Sequence, residues 1–391
     1  MAKKTSDWNN NIASCVSYCF LCLYISFAGS SNAQNATPSC AAWDKVKQYF
    51  SPPAEFADKF GDYASPLKFY NGTQVENPAE WHKRREEILD RWHGLMGEWP
   101  PLLVDQELKV VESEKLDNYT RHKVEFNWLP NQKTYGYLLV PDGGGVGPAA
   151  ITVYYEPETA AGMNPKLSNR DYALQLVGRG LVVLSIGTRG STSLYYPSIE
   201  NATVQPLSIM AYAAANAWHV LAKVEGVDSK RIAIVGHSYG GKWALFASCL
   251  FDKFACGVWS DAGIVFDESR GSINYWEPWY LGYHPKPWRK SGVVTESNPA
   301  RGPYKQMRKE GLDLTDLHAL MAPRPFMVSG GAEDPPKRWV ALNNAIRVNE
   351  FLGFKNRVAM TNRPKHAPDP EAMKQVCDFI EYSLMPDGDS K

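Results

Sequence analysis

The feature that most restricts how this chain can fold is the run Arg231-Ile-Ala-Ile-Val-Gly-His-Ser-Tyr-Gly-Gly-Lys-Trp-Ala-Leu245. An apolar, β-branched stretch leads without a break into Gly236-His237-Ser238-Tyr239-Gly240, and a helix-forming stretch follows at once. A strand that passes so abruptly into a helix has to double back, which leaves no room for side chains at Gly236 and Gly240. Ser238, between them, is then raised on strained backbone above the end of the strand, where a reacting group can reach it. The amide of Tyr239 opens the helix and points to where an oxyanion would form, with the helix dipole behind it. A bare Gly-x-Ser-x-Gly arises by chance in many loops. The flanking strand and helix are what make Ser238 a candidate nucleophile.

A serine hydroxyl is a weak nucleophile until a base takes its proton and an acid orients that base. At turns of this kind the chain order is Ser, then Asp or Glu, then His. The apolar run 325–329 ends in Gly330-Gly331-Ala332-Glu333-Asp334-Pro335, which puts an acid at a strand's C-terminal end. Asp334 and Glu333 compete there, and the spacing Gly331-x-x-Asp334 before proline favours Asp334. The next apolar run, 357–361, leads to His366 in a loop, the expected base. His82, His93, His122 and His219 read as surface or packing residues, and His318 as structural. His237 adjoins Ser238 but, as a strand neighbour, should point the other way. The second oxyanion donor is expected in the loop after 149–154, from the amide of Tyr155 or Glu156.

Around these residues, strands are expected at 149–154, 181–186, 231–235, 255–259, 325–329 and 357–361. Amphipathic helices are expected at 170–178, 209–223, 242–250, 338–352 and 371–384. That alternation predicts an α/β fold with a mostly parallel sheet covered by helices on both faces. Alternating runs near 109–112, 122–126 and 135–140 predict an antiparallel entry to the sheet. A helix over 81–95 and an aperiodic stretch over 51–78 form an N-terminal arm, residues 34–107, packed on the main domain of residues 108–391. Residues 263–320 are too long for a simple crossover and read as an inserted cap.

The 42 basic and 42 acidic residues give no net charge, which removes the electrostatic basis for nucleic acid or an anionic membrane as partner. Lys3 and Lys4, the apolar run 12–27 and small residues up to Ala33 read as a signal peptide, residues 1–33, in preference to a membrane anchor, for which the serine-interrupted run is short, so the chain is expected to be secreted or periplasmic. Three of the seven cysteines leave with it. Cys249 and Cys256 could close a short loop by a disulfide in an oxidising compartment. No ligand spacing for zinc occurs, and nothing calls for a metal or other cofactor.

With elbow, acid and histidine in order, the chain resembles the α/β-hydrolase superfamily from about 108 to 384. Within it, the likeness is to secreted carbohydrate esterases of the acetyl xylan esterase-like and glucuronoyl esterase-like kinds. Gly240-Gly241-Lys242 and Asp316-Leu-His-Ala-Leu-Met-Ala-Pro-Arg-Pro325 are similar to stretches in glucuronoyl esterases, whose elbow is Gly-Cys-Ser-Arg-x-Gly-Lys. Tyr239 stands where that family has an arginine supporting the oxyanion. Dienelactone hydrolases look similar in layout but use cysteine. Arg189, in Thr188-Arg189-Gly190, resembles the Arg-Gly turn of acetyl esterases and would brace loops or meet a substrate anion.

The cap is where specificity is expected to reside. Residues 274–288 hold Trp276, Trp279 and Trp288 with three tyrosines, in a chain rich in Trp (13) and Tyr (20). Such rings either pack the cap or stack on sugar faces, with Glu277 or His284 bonding hydroxyls. The resemblance therefore implies a serine carboxylic-ester hydrolase acting on a small-molecule or polysaccharide ester. A prolyl oligopeptidase-like peptidase and a catalytically silent carbohydrate-binding protein are the competing readings. The peptidases of that group usually carry a propeller, for which the segment before residue 108 is too short.

Overall fold

The computed structural model describes residues 40–188, 194–271 and 274–384. The proposed signal peptide and Arg189 lie outside the described residues. Along the chain the elements are α1 (Cys40–Val46), α2 (Pro78–Met96), β1 (Lys109–Lys115), β2 (Tyr119–Leu129), β3 (Gln132–Pro141), β4 (Gly147–Tyr154), α3 (Pro157–Ala160), α4 (Tyr172–Val177) and β5 (Val182–Gly187). There follow α5 (Pro206–Leu221), β6 (Val227–His237), α6 (Tyr239–Leu250), β7 (Cys256–Ser260), α7 (Pro303–Lys309), α8 (Thr315–Ala319), β8 (Phe326–Gly330), α9 (Trp339–Phe351), β9 (Val358–Asn362) and α10 (Pro370–Ser383).

The nine strands form one sheet in the order β1-β2-β3-β5-β4-β6-β7-β8-β9. β1, β2 and β3 are antiparallel, β3 pairs antiparallel with β5, and every pairing from β5 to β9 is parallel. Parallel strands must be reached by crossovers, and those crossovers put helices on both faces. The side chains record this by alternation. Ala149, Ile151 and Val153 join the core beneath α5, α6 and α9, whereas Ala150 joins the core beneath α1, α4 and α10. Cys249 and Cys256 fall into these two different cores and are free thiols, so the short disulfide loop expected between them does not form.

α5 is buried along nearly its whole length because the segment after α2 crosses its outer face. There Trp99 donates to Ser208, the Leu103 amide to Asn216, and Tyr212 to the carbonyl of Pro101. The aperiodic arm is held at its other end by Asn343, which donates to the carbonyls of Phe56 and Lys59, and by Tyr70, which donates to the buried Asp316. β1, at one edge, is exposed at all seven positions and carries a bulge between Val110 and Glu112. Among the described residues no helix is long and apolar enough to cross a membrane.

Candidate active site

β6 ends at His237 and α6 begins at Tyr239, so Ser238 alone makes the turn. Its backbone lies at φ 57° and ψ −115°, a region that costs a side-chain-bearing residue free energy and persists only where the surroundings enforce it. The enforcement is close contact. A Cβ on Gly236 would lie 2.3 Å from the carbonyl oxygen of Gly240, and one on Gly240 would lie 2.1 Å from that of Val153. The Ser238 amide donates to the Ser260 carbonyl at 2.8 Å, tying the turn to the end of β7.

The Ser238 hydroxyl lies 2.8 Å from His366 Nε2, and His366 Nδ1 lies 2.6 Å from Asp261 Oδ2. A carboxylate only accepts, so Nδ1 carries the proton and Nε2 is left to accept from the hydroxyl. The expected base is therefore in contact with the expected nucleophile. The acid is not the expected one. Asp334 does not meet His366; Asp261, which directly follows β7, does.

The two aspartates hold each other's loops. Asp261 Oδ1 accepts from the amides of Gly331 (2.7 Å), Glu333 (3.0 Å) and Asp334 (2.9 Å). Asp334 in turn accepts from the amides of Gly263 and Ile264, both at 2.8 Å. Both carboxylates are fully buried. Burial pushes Asp261 upward, but the bonds from His366 and the Asp334 and Glu333 amides, with the charge of Arg363, outweigh it and hold the carboxyl below its ordinary range. Asp334 goes the other way, to about 6, through burial and then the repulsion of Asp261. Glu333, the other expected candidate, lies toward Arg270 at 3.4 Å.

Arg363, unremarked in the sequence, fixes the His366 loop. Its guanidinium donates to the carbonyls of Ser329, Gly330, His366 and Ala367 and to the hydroxyls of Ser329 and Ser260. His237, expected to point away, instead packs against His366 with ring centroids 4.7 Å apart and its Nδ1 3.2 Å from Ser260 Oγ. Burial, and then the neighbouring His366, push it well below the ordinary histidine value, so it stays neutral beside the His366 imidazole.

Tyr239 is the first residue of α6, so its amide has no carbonyl a turn behind it within the helix. Its ring is buried, stacks on Tyr155 (4.9 Å, 15°) and donates to Met210 Sδ, so it forms the floor beneath Tyr155. Tyr155 follows β4 directly and is half-buried, with Tyr154 edge-on at 4.9 Å. Lys242, one turn into α6, is buried, donates to the Ala262 carbonyl at 2.6 Å and lies over the rings of Tyr275 and Tyr280.

The cap residues divide. Trp276 is fully buried, donates to the Gly292 carbonyl and meets Tyr304 edge-on, so it packs the cap and faces no ligand. Glu277 is buried too, paired with Arg289 at 2.9 Å. Trp279 is half-buried and sits edge-on to Tyr280, which adjoins Tyr239. His284 Nδ1 meets the Gly282 carbonyl at 2.8 Å, and its Nε2 is buried without a partner among the described residues.

A family model described as the prolyl oligopeptidase family matches residues 168–348. No curated protein matches the chain by sequence. Among solved structures, the chain is similar to a glucuronoyl esterase from Solibacter usitatus, at 18% identity and TM-score 0.66, covering 84% of this chain and 100% of that one. It is similar to a carbohydrate esterase family 15 glucuronoyl esterase from Caldicellulosiruptor kristjansonii, at 21% identity and TM-score 0.58, covering 85% and 93%. It is also similar to a mutant glucuronoyl esterase from Sporotrichum thermophile in complex with methyl 4-O-methyl-beta-D-glucopyranuronate, at 15% identity and TM-score 0.53, covering 82% and 87%. At such identities the likeness is one of fold. The family model spans the elbow and both aspartate loops, and the chain has an α/β-hydrolase fold.

Proposed function

We propose that this protein is a serine carboxylic-ester hydrolase that removes an ester from a carbohydrate through an acyl-enzyme. The observation that carries the reading is the unbroken contact from Ser238 through His366 to the buried Asp261, at 2.8 and 2.6 Å. Ser238 Oγ attacks the ester carbonyl carbon as its proton passes to His366 Nε2. Asp261 holds the imidazole and balances the imidazolium charge. The Tyr239 amide, with that of Tyr155, bonds the oxyanion. The bond to the alcohol then breaks and the alcohol leaves with the proton from Nε2. Water, deprotonated by the same nitrogen, releases the acid and restores Ser238.

Carbohydrate as the alcohol or acid partner is supported by the fold neighbours, which are glucuronoyl esterases, one with a methyl glucuronate ester bound. Half-buried Trp279, beside Tyr280, offers a cap ring to stack on a sugar, and His284 offers a ring nitrogen that no described residue partners. The elbow departs from the glucuronoyl esterase pattern at Tyr239, where an apolar floor replaces an arginine. The substrate then needs no anion contact at that point, which admits acetyl as well as uronoyl esters. Export by the N-terminal 33 residues would bring the enzyme to such substrates.

A fluorophosphonate probe should label Ser238 in the wild type and fail in Ser238→Ala. Hydrolysis of p-nitrophenyl acetate, acetylated xylan and a glucuronate methyl ester should include at least one carbohydrate ester. Full activity in Ser238→Ala would sink the proposal. The prolyl oligopeptidase match favours a second reading, a peptidase with the same triad. Turnover of prolyl amides in the absence of ester turnover would establish it instead.

A further inference from the structure

At the opposite end of the sheet from Ser238, a cavity of about 540 Å³ opens between α2, the loop after α6, the loop before β8 and the loop after α9. Its volume lies in the range of small-molecule sites. Arg85 and Arg324 line it, and they lie side by side, since both donate to one acceptor, the Leu320 carbonyl. Arg324 also donates to the carbonyls of Ser248 and Phe254 at 2.9 and 3.0 Å. Neither guanidinium has a carboxylate within 4.0 Å among the described residues.

Both side chains are half-buried, so their charges are partly withdrawn from water. Buried cations are ordinarily paired, because desolvation is costly and only an opposite charge offsets it. Carbonyls satisfy some of the N–H groups here, but each is a dipole and not a full charge. The strain shows in Arg324, which burial and then the neighbouring Arg85 push down to about 10. Asp252 lines the exposed side of the cavity and leaves the lining one positive charge in excess. Trp81, Pro323 and the partly exposed Phe354 supply an apolar wall.

We infer that this cavity is a second ligand site, remote from Ser238, for a singly charged organic carboxylate that bears hydroxyl groups, a sugar acid or hydroxy acid. The N–H groups that the carbonyls leave over, on Nε and Nη2 of Arg85 and on Nε and Nη2 of Arg324, can bond a carboxylate's two oxygens. The single excess charge selects a monoanion over a dianion. Asp252 accepts from the ligand's hydroxyls, and the apolar wall takes the carbon face.

The test is titration calorimetry of the full chain with D-glucuronate, methyl glucoside and sulfate. Glucuronate should bind saturably, methyl glucoside not at all, and sulfate more weakly than glucuronate. Arg85→Gln should weaken glucuronate about tenfold or more while fluorophosphonate labelling of Ser238 stays at the wild-type rate. Arg85→Lys keeps the charge but loses the fork and should fall between. Asp252→Asn, an exposed change that leaves the core intact, should shift the preference toward sulfate. Absence of glucuronate binding, equal affinity for methyl glucoside, or unchanged affinity in both Arg85 variants would overturn the inference. Sulfate binding the wild type more tightly than glucuronate would do so as well.

Discussion

Asp261 and Asp334 each accept the backbone amides of the loop that carries the other. The two buried carboxylates therefore join the ends of β7 and β8 into one rigid edge, and only Asp261 Oδ2 is turned toward His366. On the proposed mechanism the two differ in role, though both are acids at strand ends. Asp261→Asn should lower kcat about 10³–10⁴-fold, because an amide at that position no longer selects the productive imidazole tautomer. Asp334→Asn should lower it about tenfold, with a stability loss of about 1–3 kcal/mol from the amide left facing an NH₂ group. Steady-state kinetics on whichever ester is turned over, beside denaturant melts, separates the two. Equal losses of kcat would contradict the assignment.

The pH dependence of stability carries a distinct mark of Asp334. Its folded value, about 6, lies above its ordinary value of 3.8, so the native state binds the proton more tightly than the unfolded chain does. Its contribution is fully present below about pH 4 and is lost as pH rises through about 6. Wild type relative to Asp334→Asn should therefore lose about 3 kcal/mol between those limits. Chemical denaturation of both proteins across that window measures the difference directly, and a difference that grows with pH would refute the sign.

Gly331 is tightly confined. A Cβ there would lie 2.6 Å from Asp261 Oδ2 and 2.5 Å from the Lys365 carbonyl, so it would press on the acid and on the histidine loop together. Gly331→Ala should reduce kcat by roughly a hundredfold with little change in KM, since the displaced acid acts in the chemical step and not in substrate binding. A variant with wild-type kcat would show that the acid has latitude to move.

The two cap tryptophans should behave oppositely. Trp276→Ala empties a fully buried site and should cost about 3–5 kcal/mol of stability. Trp279→Ala, at a half-buried position, should leave the melt nearly unchanged and raise KM for a carbohydrate ester more than for p-nitrophenyl acetate. The melting curves and the ratio of the two KM values decide it.

Ser238 and His366 were legible because their positions are set locally: a sharp turn demands its glycines, and a loop histidine follows an evident strand. The acid was not. Asp261 and Asp334 both fall between Ser238 and His366 in the chain, so order cannot choose between them. The choice depends on which of two adjacent strand ends faces the imidazole, a property of sheet geometry. Strand alternation misled at His237 because β6 stops there and the turn redirects the ring toward His366. Spacing suggested a Cys249–Cys256 loop, but the chain passes from one face of the sheet to the other between them. In the cap, irregular backbone has no period, and nothing local separates Trp276, packed inside, from Trp279.

The exposed first strand bears on how the molecule behaves in company. β1 leaves one edge of a nine-stranded sheet open, with Val110 and Val111 about half exposed on it. An open edge is a template on which a second chain can add a strand. Lys109, Glu112, Glu114 and Lys115 ring those valines with charge, and the bulge beside Val110 spoils the flat register that another strand would need. Charge and bulge thus guard the strand that contributes least to the core, and neutralising Glu112 and Glu114 should open the way to edge-to-edge aggregation at high concentration.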